Sequence, residues 1–310
     1  MSEQARTPPA FSPGIREEER AALALMRVPG VGADMFRRLM KAFGTPFSAL
    51  RAVQDGRARD AGFDVPRPTK KRPVEGLVER AFGAMERFSS LQGLVWYGNE
   101  RYPERLLNVP EPPPILFWQG IYAQGRFFRA PTLGIVGARK ATPRGKEIAA
   151  ALSRFCVGKG VTIVSGGALG IDAEAHRGAL DAGGITAAVI ATGIDVWYPE
   201  ENRSLFERIV DHGVVVTEFF PGTPPVRSHF PTRNRIIAGL SDALVFIEGS
   251  AKSGALITVR RALDAGRPVF FWSDKGLNEG GIEAVLHARL PVSIVKSPEE
   301  VWERLPGLMK

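Results

Sequence analysis

Apolar runs and amphipathic segments alternate along residues 132–295. The apolar runs are short, uncharged and mostly rich in β-branched residues, which is typical of strands buried on both faces of a sheet. They are Thr132–Val136, Val161–Val164, Thr186–Ile190, Val214–Thr217, Ala243–Ile247, Val269–Phe271 and Ser293–Val295. Two further strands are predicted upstream, one from Leu94 and one at Ile115–Trp118.

Helices are predicted between these runs. The first begins near Thr142-Pro143, because a capping threonine and a proline in the first turn favour a helix start. The next begins near Leu169, and the others are predicted at Glu201–Asp211, Asn234–Leu240, Ser253–Asp264 and Glu279–Ala288. Regular alternation of strands and helices predicts an α/β fold, with a mostly parallel, Rossmann-like sheet covered by helices on both faces.

The N-terminal part of the chain has a different pattern. A helix is predicted from near Glu17, and a second apolar helical face follows the turn Val28-Pro29-Gly30-Val31-Gly32. This order resembles the helix-hairpin-helix unit, whose glycine turn exposes backbone N–H groups to a nucleic-acid phosphate. The alternative is a helical packing module in which Gly30 and Gly32 only permit a sharp turn, and the short motif does not decide between the two.

Three regions follow from these patterns. Residues 1–15 contain prolines without apolar periodicity and are predicted to be a disordered tail. Residues 16–91 are predicted to form a small helical domain of the SAM-like type, with a basic exposed loop at 67–73 and a closing helix around Val74–Leu91. Residues 92–310 are predicted to form the extended Rossmann-like domain.

Glycine turns follow three of the predicted strands. Gly137 and Arg139 come after the first strand of the alternating region, Ser165-Gly166-Gly167 after the second, and Lys252-Ser253-Gly254 precede a later helix. Parallel strands end at one edge of a sheet, and helix N-termini at that edge favour anions. We therefore expect a phosphate-binding site there. The alternative is that the glycines only tighten the turns.

Four cations are expected around this crevice, namely Arg139, Arg233, Arg235 and Lys252. That number suits a chain of phosphates better than a single nucleotide. The alternative for the two later arginines is an ion pair with Glu218 or Glu248, and we expect one arginine to form such a pair while the other faces the ligand.

Composition and charge agree with a polyanionic partner. The 310 residues include 41 Lys and Arg against 33 Asp and Glu, a net charge of +8, which favours polyanions without identifying one. Cys156 is the single cysteine, so no disulfide within the chain is possible, and it is expected to be a buried apolar residue. No apolar run has the length of a membrane span, so a cytoplasmic protein without membrane contact is expected. The four histidines are too scattered to indicate a metal, and no cofactor is expected.

The ordered motifs of the α/β region resemble the DNA processing protein A (DprA/Smf) family. The resemblance covers about residues 94–295, and the N-terminal PGVG unit resembles the helical domain that often precedes this region. The motifs are Tyr102-Pro103, GIVGARKAT (134–142), SGGALGIDAEAH (165–176), ATGIDVWYPEEN (191–202), Thr217-Glu218, FPTRNRIIAGLS (230–241) and KSGALIT (252–258).

The resemblance implies a Rossmann-like domain that binds single-stranded DNA during natural transformation and recombination. It implies that the protein protects incoming single strands and loads RecA onto them while displacing single-strand-binding protein. It also implies a homodimer without catalytic residues. By motif, the phosphate-contacting pocket comprises Gly137, Arg139, Ser165, Gly166, Gly167, Arg233, Asn234, Arg235, Lys252, Ser253 and Gly254.

One aromatic residue is added from its position alone. Trp197 lies beside Tyr198 after a predicted strand, where an indole could stack on a base. The alternative is that Trp197 packs partly buried in the domain. The chain also departs from the family in carrying Leu169 where many relatives have a basic residue, and in the segment 272–291, which lacks the usual proline-glycine loop.

The competing hypothesis is a nucleotide-processing hydrolase of the lysine-decarboxylase-like, phosphoribohydrolase type. Its acid and base would be drawn from Asp172, His176, Asp195 and Glu218. The PGGxGTxxE signature of that group is absent, and Asp172 and His176, four residues apart on one helix face, are expected to anchor the helix by hydrogen bonds. The turn GARKATPRG also lacks the G-x-G-x-x-G pattern of dinucleotide enzymes.

Overall fold

The computed structural model describes residues 13–65, 92–121, 130–278 and 280–305. These residues divide into two units. The first holds residues 13–65 together with Trp96–Asn99, and the second holds residues 92–95 and the described residues from 100 onward. The predicted helix at Val74–Leu91, the basic loop at 67–73 and residues 1–12 of the predicted tail lie outside the described residues.

The first unit is helical. Between its first two helices Gly30 has a φ of 82°, a left-handed conformation that glycine adopts without steric cost. Phe36 and Leu39 of the second helix are fully buried, so the apolar periodicity of this segment forms a core. The helices are α1 (Pro13–Leu25), α2 (Ala33–Phe43), α3 (Pro46–Asp55) and α4 (Arg57–Asp60). α1 begins at Pro13 rather than near Glu17, within the segment predicted as a tail.

The second unit is built on a nine-stranded sheet with the order β1-β2-β6-β5-β4-β3-β7-β8-β9. In this order, all neighbouring strands between β6 and β9 pair in parallel, whereas β2 runs antiparallel to β6. The strands are β1 (Gln92–Trp96), β2 (Ile115–Gly120), β3 (Thr132–Val136), β4 (Thr162–Ser165), β5 (Thr186–Val189), β6 (Val214–Thr217), β7 (Ala243–Phe246), β8 (Val269–Trp272) and β9 (Ser293–Val295).

Helices connect the strands of this sheet. Thr142 caps the first of them, since its hydroxyl accepts a hydrogen bond from the Gly145 N–H at 3.0 Å. The helices are α5 (Pro143–Gly158), α6 (Ile171–Asp181), α7 (Arg203–His212), α8 (His229–Leu240), α9 (Ala255–Asp264), α10 (Gly280–His287) and α11 (Pro298–Glu303), with short 3-10 turns at Glu104–Leu106 and Glu200–Asn202. The predicted Rossmann-like, mostly parallel α/β fold is confirmed.

The centre of the sheet determines where a crevice opens. β3 is buried along its whole length, and its Gly134 is paired with Val164 of β4 on one side and with Leu244 of β7 on the other. The chain leaves β3 towards β4, while β7 adds to the opposite side. Connections on the two sides of β3 therefore diverge at the carboxyl ends of β3 and β7, which is where open α/β sheets bind ligands.

One helix begins earlier than the sequence predicts. α8 begins at His229 instead of Asn234, so the run Phe230–Arg235 lies in the first two turns of the helix and not in a loop directly after a strand. Pro231 is compatible with this start because backbone N–H groups of a first helical turn have no partner within the helix. The basic residues of this run are thus held by a helix.

His176 is a buried part of the core. Its Nδ1 lies 2.7 Å from the hydroxyl of Thr186, and that hydroxyl donates to the Ile163 carbonyl at 3.0 Å. The Thr186 oxygen is then left to accept the N–H of His176, which fixes a neutral tautomer. Burial, with smaller contributions from Arg233 and Arg177, lowers the pKa of His176 to about 3.

The first prediction concerns the pH dependence of stability. Unfolded His176 gains a proton below about pH 6.5, whereas the folded form stays neutral down to about pH 3, so the free energy of unfolding falls as the pH decreases through this range. Between pH 7 and pH 5 the loss attributable to this group is about 2 kcal/mol. In urea unfolding, the free energy of unfolding of His176→Gln should therefore fall by about 2 kcal/mol less between pH 7 and pH 5 than that of the unsubstituted protein.

The matched control is His287→Gln, since His287 is an exposed histidine at the end of α10. It should show the same loss between pH 7 and pH 5 as the unsubstituted protein. An identical pH dependence in His176→Gln and His287→Gln would contradict the assignment of a buried neutral imidazole.

Candidate nucleic-acid interface

A pocket of about 670 Å³ lies at the carboxyl ends of β3 and β7. Its wall combines the end of β3, the first turns of α8 and the residues before α9. Seven residues predicted as phosphate contacts line it, namely Gly137, Arg139, Arg233, Asn234, Lys252, Ser253 and Gly254. The fold therefore brings together residues up to 117 positions apart, and their contact with DNA stays a prediction.

A buried carboxylate fixes one wall of this pocket. Glu248, which follows β7, is 1% exposed. Its carboxylate accepts hydrogen bonds from the Thr142 N–H at 2.6 Å, the Thr142 hydroxyl at 3.2 Å and the Asn278 N–H at 3.0 Å. Its backbone carbonyl accepts from the Ala138 N–H at 2.9 Å. Glu248 thus ties the loop that carries Arg139 to the end of β7.

Arg139 lies over an aromatic ring at the pocket wall. Its guanidinium carbon is 4.8 Å from the centroid of Phe230, a cation–π distance that orients the side chain without neutralising its charge. Tyr198 packs edge-on against Phe230 with centroids 6.0 Å apart, and it is 44% exposed. All three residues line the pocket, so a cation and two aromatic rings share one side of it.

Arg233 lies deep in the pocket wall and is 4% exposed. Its Nη1 donates to the Val189 carbonyl, and its buried Nε has no hydrogen-bond partner among the described residues. Burial lowers the pKa of Arg233 to about 10, against the opposing effect of Asp172, so the guanidinium is charged at neutral pH. Burial in turn raises the pKa of Asp172, and Arg233 counteracts that increase.

The segment before α9 forms the opposite wall. Asn234 donates its side-chain N–H to the Gly254 carbonyl at 3.4 Å, and the Ser253 hydroxyl accepts from the Ala255 N–H at 3.3 Å. Lys252 is exposed and lines the pocket at the same place. A cation and a helix N-terminus therefore face the cavity together, an arrangement that favours anions.

Three predicted contacts have structural roles behind the pocket. The buried Ser165 hydroxyl donates to the Ile135 carbonyl at 2.6 Å. Gly167 accepts a hydrogen bond from the Asn202 side chain at 3.0 Å through its carbonyl. A Cβ at Gly166 would overlap the Arg233 guanidinium, so this glycine provides the space in which Arg233 lies. Their direct contact with a phosphate stays a prediction.

Arg235 is held by a carboxylate. Its two Nη atoms each donate to Glu218 at 2.6 Å, and its Nε donates to the Glu111 carbonyl at 3.0 Å. The side chains of Arg235 and Glu218 are only 7% and 11% exposed. The expectation that one of the two arginines forms an internal ion pair is met by Arg235, and Arg233 is the one at the pocket.

Trp197 packs against the domain. Its ring lies 5.9 Å from that of Phe206, and its Nε1 donates to the Ile194 carbonyl at 3.1 Å. Of these two neighbours, Tyr198 lines the pocket and Trp197 does not. Stacking of Trp197 on a base stays a prediction, and Tyr198 is the better placed ring.

Sequence reasoning did not select Arg227, Tyr198 or Phe230 as site residues. Arg227 is exposed and lines the pocket. It lies in the segment between β6 and α8, and the prediction that α8 starts at Asn234 hid how close this segment is to the helix start. Phe230 belongs to the motif FPTRNRIIAGLS (230–241). It precedes Arg233 by about one helical turn, and this spacing could have indicated that the two side chains share one face of a helix.

The acid and base candidates of the hydrolase hypothesis are dispersed. His176 is hydrogen-bonded to Thr186, and Glu218 forms a hydrogen-bonded ion pair with Arg235. The Asp195 carboxylate accepts from the Gly222 N–H at 2.7 Å. Asp172 lines the pocket and accepts from the Ala168 N–H at 3.4 Å, which agrees with the expected helix-anchoring role.

Two structural features are absent from the described residues. No group of three or more His, Cys, Asp or Glu side chains with the arrangement of a metal site occurs among residues 13–65, 92–121, 130–278 and 280–305. In the same ranges no helix combines the length and the apolar character that crossing a bilayer requires.

A second prediction tests the ion pair of Arg235. Arg235→Met leaves the Glu218 carboxylate buried without its partner, so the free energy of unfolding should fall by about 3–5 kcal/mol. Arg208→Met is the matched control, because Arg208 and Asp181 form an exposed pair at 2.7 Å and such pairs contribute at most about 1 kcal/mol. Equal losses for the two variants in urea unfolding would contradict the structural role of Arg235.

Two family models match this chain. One, described as DNA recombination-mediator protein A, covers residues 93–306, and the other, described as a DprA-like N-terminal HHH domain, covers residues 16–76. The protein Smf of Synechocystis sp. is 37% identical over 271 residues, which are 82% of this chain and 64% of that protein. The chain thus matches less than two thirds of the length of this relative.

Solved structures agree with these matches. The DNA processing protein A of Streptococcus pneumoniae is 27% identical with a TM-score of 0.73, covering 94% of this chain and 96% of that one. The DNA processing protein A of Helicobacter pylori is 24% identical with a TM-score of 0.61, covering 69% of this chain and 95% of that one, and it shares the fold. The chain therefore belongs to the DNA recombination-mediator protein A (DprA/Smf) family.

Proposed function

We propose that this protein binds single-stranded DNA through the pocket at the carboxyl ends of β3 and β7. The observation that carries the proposal is that four cations line one pocket, namely Arg139, Arg227, Arg233 and Lys252. A nucleic-acid backbone carries one negative charge per nucleotide, so phosphates dominate such an interface. The net charge of +8 adds a long-range attraction for the same ligand.

The aromatic residues of the pocket favour a single strand. Tyr198 and Phe230 offer ring faces and edges to unpaired bases, and stacking is tolerant of sequence because every base has a π-face. The bases of a duplex are paired and stacked and cannot enter a pocket of this size without unpairing. The solved relative from Helicobacter pylori is a single-stranded DNA-binding protein with the same fold, which supports this choice of ligand.

The biological role we propose is that of the family. The protein would protect incoming single strands in natural transformation and recombination, load RecA onto them in the cytoplasm, and meet single-strand-binding protein on the same strand. We further propose that it acts as a homodimer. Two pockets on one strand would then raise the affinity through the effective concentration of the second site.

We also propose that the protein is a binder and not an enzyme. A glycosidic hydrolase needs two carboxyl groups facing one bond, about 5–10 Å apart. Of the four acid and base candidates only Asp172 lines the pocket, and the other three are bonded elsewhere. An absence of base release from nucleoside monophosphates is the expected result of a phosphoribohydrolase assay.

The third prediction tests the pocket. Arg139→Ala removes one charged donor, and hydrogen bonds to charged groups contribute about 1.5–3 kcal/mol, so affinity for single-stranded oligonucleotides of any sequence should fall by about tenfold or more. Fluorescence anisotropy at fixed salt measures the change. The thermal unfolding of the variant should stay close to that of the unsubstituted protein, since Arg139 is exposed.

Arg154→Ala is the control of equal charge. Arg154 is an exposed residue of α5 and is not among the pocket-lining residues. It should change the affinity only slightly. A folded Arg139→Ala variant that binds as tightly as Arg154→Ala would remove Arg139 from the interface.

A further inference from the structure

The pocket has the dimensions of a small-molecule site. Its volume of about 670 Å³ lies within the range of about 300–1,000 Å³ found for cofactor and ligand pockets. A protein that contacts a nucleic-acid strand only along its backbone needs a positively charged groove. The cavity here offers in addition a buried interior, which one nucleotide can fill.

The interior is built for an anion. Arg233 lines the cavity and is only 4% exposed. Its Nε has no hydrogen-bond partner among the described residues. The buried Nε is closed to the cavity, so Arg233 contributes to the wall through the positive charge of its guanidinium. The N-terminus of α9, with Lys252 and the Ser253 hydroxyl, lines the same cavity.

The charge of the wall suits a terminal phosphate. Four cations and one carboxylate, Asp172, line the cavity. A phosphodiester carries a single negative charge, whereas a phosphate monoester carries about −1.5 to −2 near pH 7. A monoester therefore brings more negative charge to Arg233 and Lys252 than any one diester of a chain does.

A base has its own place in the same pocket. Arg139 lies 4.8 Å from the centroid of Phe230, and the 44% exposed Tyr198 contacts Phe230 edge-on. These groups provide a partly exposed aromatic and guanidinium surface on which a purine can stack. A phosphate subsite and a stacking subsite in one cavity are the two requirements of a nucleotide site.

We propose that the pocket also binds a free nucleoside 5′-monophosphate as a ligand, which competes with single-stranded DNA. The proposal rests on the proposed function, because both ligands use one site. The phosphate is bound by Arg233, Lys252 and the N-terminus of α9, and the base stacks beside Arg139 and Phe230. No bond is broken, so the nucleotide leaves unchanged and lowers the occupancy of the pocket by DNA.

The test uses the full chain and dAMP as the probe, with deoxyadenosine and inorganic phosphate in parallel, by isothermal titration calorimetry. The expected result is saturable binding of one dAMP per chain with a Kd below about 1 mM. Deoxyadenosine should bind at least about tenfold more weakly, because it lacks the charged group. Added dAMP should raise the apparent Kd of the protein for an oligothymidine. The increase should be proportional to the ratio of the dAMP concentration to the Kd of dAMP.

Two exposed substitutions separate the subsites. Lys252→Ala should weaken dAMP several-fold and leave deoxyadenosine unchanged, whereas Arg139→Ala should weaken both. Arg154→Ala should change neither. Folding of each variant is checked by its thermal unfolding, and both target side chains are exposed.

Several results would overturn the proposal. They are no saturable dAMP binding up to about 10 mM by protein that binds the oligonucleotide, dAMP binding that Lys252→Ala and Arg139→Ala leave unchanged, and release of adenine, which would make dAMP a substrate. Failure of the oligonucleotide to bind, with dAMP bound as expected, would instead overturn the proposed function.

Discussion

The arrangement of the site depends on one buried carboxylate. Glu248 is 1% exposed, and removing a charge from water is costly unless hydrogen bonds replace the lost hydration. Thr142, which caps α5, and Asn278 supply those bonds. Through these hydrogen bonds Glu248 joins the loop after β3 to the loop after β7. The two sides of the crevice are thus connected through one buried side chain.

Arg233 and Arg235 lie two positions apart on α8, so their side chains leave the helix on different sides and have different partners. Arg235 satisfies its charge internally through Glu218, so it stabilises the first turns of α8 and the end of β6. Arg233 instead donates to the Val189 carbonyl and lines the pocket, where it is 4% exposed. α8 therefore carries both a buried ion pair, which anchors it, and an arginine that faces the proposed binding site.

Much of this arrangement could be predicted from the sequence. Uncharged strands, glycine turns and a capped helix at Thr142 are local signals, and parallel topology then places all strand ends at one edge. The start of α8 and the partner of each arginine could not be predicted, because they depend on contacts between distant residues. Arg235 finds Glu111, 124 positions away, and the exposure that distinguishes Tyr198 from Trp197 arises from tertiary packing alone.

The central claim is that a ring of cations and aromatic residues at one sheet edge holds a single strand mainly by its phosphates. The most direct measurement compares the affinity for single- and double-stranded oligonucleotides of one sequence across a salt series. The single strand should bind more tightly than the duplex, and the logarithm of its binding constant should fall linearly with the logarithm of the salt concentration, with a slope of about 0.7 per phosphate contact. Equal affinity for the two forms, or single-strand binding that does not change with salt, would contradict it.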